Sequence, residues 1–198
     1  MDRLASAPDR ADYDDVRDFL RDWESYWDNM EPTGAAVLAR AARLANDAAV
    51  AVALQIGRIR DGFNSRDPDA FWTALIDVEF LISSLWKMHL AGKLTQSVQG
   101  QDWTPLDEFD RAVPNLKLMR DVIQHVDEYG RDATERRHTH PQTGRKVGRR
   151  SLHSQMGISG DSFHWLGGTI DFAQAQDAAA TLLAAIRVAR DGSASTSP

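Results

Sequence analysis

The chain has 198 residues, a formal net charge of −6 and no cysteine, which bounds it to one domain large enough to bury a core of its own. Absence of cysteine removes disulfides, thiolate metal sites and cysteine nucleophiles, and fits a reducing cytoplasm. Net acidity argues against a protein built to hold duplex DNA, and with no apolar leader and no long uncharged apolar run, secretion and membrane spanning are not expected.

Residues 1–11 carry no periodic pattern. Asp12–Met30 then places Tyr13, Val16, Phe19 or Leu20, Trp23 and Trp27 on one side of an expected helix, with the tryptophan pair read as core. Glu31-Pro32-Thr33-Gly34 breaks it. A second helix is expected over Ala35–Phe63, where Leu38, Ala41, Ala42, Ala45, Ala48, Ala49, Val52, Ile56, Ile59 and Phe63 form one stripe. Its alanines allow a neighbouring helix to come close. Asp67-Pro68 reads as an N-cap followed by proline at the first helical position. The third helix, Pro68–Ala91, is the most apolar and is expected at the centre, covered on several sides. Asp77 and Glu79 within it need partners if buried, and Arg120 is one candidate for either.

Gly92–Trp103 reads as a polar connection. Thr104-Pro105 opens a short helical turn, and Pro114 restarts the chain into a helix that Gly130 is placed to end. Residues 131–150 hold seven basic groups against Asp132 and Glu135, a balance of +5, whereas residues 1–31 balance at −6. The basic stretch has no hydrophobic period and reads as a loop. Beyond it Leu152, Met156 and Ile158 alternate with polar neighbours, Ser159-Gly160-Asp161 can turn the chain, and Phe163 and Trp165 continue. This is a hairpin signal. Asp171–Arg190 is helical in period, and residues 191–198 read as a disordered tail. The expected fold is all-α: an antiparallel bundle of about five helices in a single domain over 1–190, with a basic loop at 131–150 and a small β-hairpin within 151–170 before the last helix.

The most informative run is Leu118–Gly130, LMRDVIQHVDEYG. Leu116, Met119, Ile123 and Val126, with Val122 beside them, form an apolar stripe, so Arg120, Asp121 and His125 fall on the polar side. Spacing alone selects two Arg…His pairs, Arg120…His125 and Arg131…His138; only the first sits in a helical pattern. Arg120 and His125 stand about 140° apart around a helix and about 7.5 Å along it. On a single helix the two therefore point apart. Asp121 and His125 are four apart on one face, so the carboxylate is placed to orient the imidazole and favour its protonated form.

This run resembles the motif helix of the HEPN superfamily, helical domains marked by Arg, four to six residues, then His, with Asp121 standing where Asn is commonest. More loosely, the resemblance covers the helix order from Asp12 to Gly130 and the closing helix; the hairpin is an insertion. It implies a metal-independent ribonuclease of a toxin–antitoxin or defence system. The site would lie between two subunits of a homodimer, act on RNA and be neutralised by an antitoxin protein. Arg120 would stabilise the phosphorane-like transition state, His125 would act as general acid or base, and Asp121 would set its tautomer. Arg136, Arg137, Arg149 and Arg150 are candidate RNA-phosphate contacts. The alternative is a catalytically inert HEPN-like bundle that binds protein or RNA. His138, His140, His153 and His164 lack the carboxylate or thiolate company of a metal site, and no nucleotide-binding, zincin or hydrolase motif occurs. Neither a metal nor a cofactor is expected.

Overall fold

The computed structural model describes residues 15–17, 32–125 and 156–194. The helix expected over Asp12–Met30 lies outside them, apart from 15–17, as does the basic loop 131–150; of the tail expected over 191–198, residues 191–194 instead continue the last helix and 195–198 lie outside the described residues. Five helices and a small sheet make up the described fold: α1 Gly34–Asn64, α2 Pro68–Gln99, α3 Pro105–Ala112, α4 Leu116–Gln124, strands β1 Gly157–Ser159, β2 Ser162–Trp165 and β3 Gly168–Asp171, and α5 Phe172–Ala194. The chain is an all-α bundle with a three-stranded sheet before the last helix.

α1 begins where Thr33 accepts a hydrogen bond from the Ala36 amide at 3.2 Å. Its alanine-rich stripe is buried as expected, from Leu38 through Ala41, Ala45, Ala48, Val52 and Ile56 to Ile59. The connector to α2 is three residues long, and Asp67 caps α2 by accepting from the Asp69 amide at 3.0 Å, with Pro68 at the first position. The two helices run antiparallel: Gly62 faces Ala70 and Ala74 at one end, and Gly34 faces Val98 at the other. A Cβ on Gly62 would come within 2.7 Å of the Ala70 carbonyl oxygen, so the absence of a side chain lets the hairpin close.

α2 extends eight residues beyond the expected end. Gly92, read as the start of a connection, is buried inside the helix, where a Cβ would come within 2.7 Å of Leu106 Cδ1. Thr95 is buried and returns its hydroxyl hydrogen bond to the Ala91 carbonyl, 3.0 Å away. Packing of α3 across this turn makes the small residue a contact point, and the helix stops only at Gly100, whose φ is 97°. α2 is also less covered than its composition implied. Val78, Leu81, Ile82, Leu85 and Met88 are buried, but Trp72, Ile76 and Phe80 line up at intervals of four on an exposed side, Trp72 at 63%.

The sheet is an antiparallel meander in the order β1-β2-β3. Gly160-Asp161 forms the first two-residue turn, with φ of 59° at Gly160. The second turn, Leu166-Gly167, has positive φ at both residues, 51° and 76°, as a type I′ hairpin turn requires. A leucine is out of place there by backbone preference, at about 1–2 kcal/mol; burial of its side chain to 1% exposure offsets this. β3 was not expected, because leucine carries no turn signal. Phe163, Trp165 and Ile170 face the core while His164 and Thr169 face out, 3.0 Å apart at His164 Nδ1 and Thr169 Oγ1. β3 runs directly into α5, where Asp171 accepts from the Gln174 amide at 2.8 Å. Arg60 of α1 clamps the first turn by a two-pronged bond to Asp161, at 2.7 and 2.6 Å.

Candidate functional site

α4 carries the Arg120–Asp121–His125 group, and its local sequence explains its position. Asn115, after Pro114, adopts a left-handed conformation with φ of 68° and turns the chain out of α3. Asparagine tolerates that region better than most residues. Leu116, Met119 and Val122 then anchor the helix in the core, with Ile123 partly buried. α4 stops at Gln124 with His125 as its C-cap, short of the expected end at Gly130; Val126 and Gly130 lie outside the described residues.

The opposite side is half-buried. Arg120 and Asp121 side chains are 26% and 22% exposed, and Arg120 Nη1 donates to Asp121 Oδ1 at 2.9 Å. The guanidinium carbon of Arg120 lies over the ring of Trp86 in α2, 5.1 Å from its centroid, within cation–π range. Its Nε is buried with no hydrogen-bond partner among the described residues, an arrangement uncommon in folded proteins. His125 occupies the C-cap, half-buried, with its amide donating to the Asp121 carbonyl at 3.1 Å. Asp121 and His125 are thus one turn apart, as the spacing required, and Asp121 also holds Arg120.

Neither Asp77 nor Glu79 takes Arg120. Asp77 is buried and accepts from Arg58 Nε of α1 at 3.0 Å, while Glu79 is exposed.

Sequence reasoning missed a second group beside the first. His89 stacks on Trp86, with centroids 4.6 Å apart and planes 15° from parallel. Its Nδ1 lies 2.8 Å from Asp110 Oδ1 of α3. Trp86, His89 and Asp110 line a cavity of about 240 Å³ together with Asn115 and Lys117. The only signal in the sequence is Trp86 and His89 at a spacing of three on one helix, which does not disclose Asp110 as partner.

Arg136, Arg137, Arg149 and Arg150 lie outside the described residues, as do His138, His140 and His153. Among the described residues no three His, Asp or Glu side chains gather as metal ligands would, and no described helix is long and apolar enough to cross a membrane. No family model, curated protein or solved structure matches this chain.

Proposed function

We propose that this chain is a HEPN-like, metal-independent ribonuclease of a toxin–antitoxin or defence system, acting through Arg120 and His125. The observation that supports it is the Arg120–Asp121 pair, 2.9 Å apart, with His125 at the C-cap one turn on, all three partly exposed. In this reading RNA supplies its own nucleophile, a ribose 2′-hydroxyl next to the scissile phosphate. His125 moves a proton during the displacement, and Arg120 stabilises charge on the phosphorus oxygens. The fork of Arg120 is suited to a phosphate's geometry, and its buried Nε has no hydrogen-bond partner among the described residues. Two subunits bring one chain's arginine near the other's histidine, and a protein antitoxin holds the dimer in check.

Growth after inducing wild type and His125→Ala side by side, followed by an RNA gel, tests this. The expected result is arrest and discrete RNA fragments with wild type alone. Equal behaviour at equal folded level overturns the assignment. A second reading rests on one observation: Arg120 is already engaged by Asp121 and Trp86, which suits a catalytically inert protein- or RNA-binding bundle. That reading predicts equal growth of the two strains.

A further inference from the structure

A groove of about 740 Å³ runs between the start of α1 and the end of α2. Val37, Leu44, Leu90 and Leu94 give it apolar walls, with Arg40 of α1 and Lys93 of α2 beside them. Leu90 is 40% exposed, and Leu44 and Leu94 are only partly buried although they touch the core. Every described residue lining the groove belongs to α1, α2 or the short lead-in to α1, so no other described element covers it.

The chain itself supplies an occupant. Pro32 lines the groove, and only Thr33 separates it from α1, so the chain enters the described fold from the groove. The stretch just before it, Phe19–Met30, carries Phe19, Leu20, Trp23, Trp27 and Met30 on one side of a helical period. Twelve residues in a helix extend about 18 Å, and the α1 wall of the groove, from Ala36 to Leu44, extends about 12 Å. Each tryptophan brings about 150–250 Å² of surface that burial favours. Val16, three residues further back, is 51% exposed, as a segment running past the end of the groove requires.

Charge points the same way. Residues 18–31 hold five carboxylates against Arg21 alone. The groove offers Arg40 and Lys93, with Arg43 in the adjoining hollow beside Asp47. Neither Arg40 nor Lys93 pairs with a carboxylate among the described residues. Opposite charge of this kind fixes register and turns away wrong partners.

We propose that Phe19–Met30 folds back into this groove of its own chain. Trp23 and Trp27 seat against Leu44, Leu90 and Leu94, and the carboxylates face Arg40 and Lys93. The segment then forms a further helix on the open side of the α1–α2 hairpin, and the groove is not a site for a separate protein. This assignment is independent of the ribonuclease reading.

Hydrogen exchange of the purified full chain, read by mass spectrometry on peptides covering residues 18–31, tests it. Wild type is compared with Leu90→Glu and with the double reversal Arg40→Glu/Lys93→Glu, all three positions being exposed. Amides of Trp23–Met30 should exchange at least about tenfold more slowly in wild type than in either variant, with peptides of α5 unchanged throughout. If Leu90→Glu loses protection in α5 as well, the double reversal alone decides. Exchange in wild type at the rate of an unstructured peptide overturns the proposal. So does equal protection in wild type and the charge-reversed chain, which would place the segment elsewhere. Protection that grows with protein concentration would seat the segment on a second copy and overturn the own-chain assignment.

Discussion

Asp77 is buried in α2 with its side chain 4% exposed, and the arginine that neutralises it, Arg58, is 53% exposed. Removing the exposed partner strands a carboxylate in the core, so Arg58→Met should destabilise by about 1–3 kcal/mol. The double change Arg58→Met/Asp77→Leu should recover most of that, since an apolar pair often replaces a buried ion pair without loss. Urea melts of wild type, single and double variants measure both. Arg60 and Asp161 behave differently, being 40% and 43% exposed. The hydrogen bond from Arg60 holds the Asp161 carboxyl below its ordinary range, against a smaller opposing effect of burial. The folded state then binds fewer protons than the unfolded state, so the pair's contribution is present above about pH 4 and is lost as pH falls through the lowered folded value. In a thermal melt series, Asp161→Asn should cost under about 1 kcal/mol at neutral pH. That difference should shrink below about pH 4, and a constant one would contradict the pairing.

At the scale of elements, two glycines make opposite demands. A methyl on Gly62 meets the Ala70 carbonyl oxygen and Ala74 Cβ, at 2.7 and 3.0 Å, neither of which can turn away. A methyl on Gly92 meets first the end of the Leu106 side chain, which can rotate. Alanine gains up to about 1 kcal/mol of helix propensity at either position. Gly62→Ala should nevertheless lose about 1–3 kcal/mol through overpacking, while Gly92→Ala should lie within about 1 kcal/mol of wild type. Chemical denaturation of the two variants decides whether backbone approach or mere smallness is required. These glycines also mark what the sequence discloses. Asp67-Pro68 announces the start of α2, because capping is local chemistry and the residues involved are adjacent. The end of α2 is hidden because Gly92 has the same letter whether it breaks a helix or admits Leu106. The third strand is hidden for a related reason: Leu166 turns the chain against its own preference, held by burial that no local window contains.

Across the whole molecule, apolar period located the buried stripes of α1 and α4, and the change to a period of two located the sheet. Period reports which side of an element is wet, not which groups meet there. Arg60 and Asp161 are 101 residues apart, Arg187 and Asn46 are 141 apart, and His89 finds Asp110 only because α3 folds back on α2. The sequence therefore displayed Arg120, Asp121 and His125, which lie on one turn-and-a-half of helix, and concealed Trp86, His89 and Asp110. We propose that Arg120 and His125 cleave RNA without a metal. The most direct test is a gel of cellular RNA incubated with purified wild type, Arg120→Ala and His125→Ala in excess chelator, after circular dichroism has matched their folded fractions. Cleavage by wild type and intact RNA with both variants is the predicted result; intact RNA in all three lanes, or equal cleavage in all three, would contradict it.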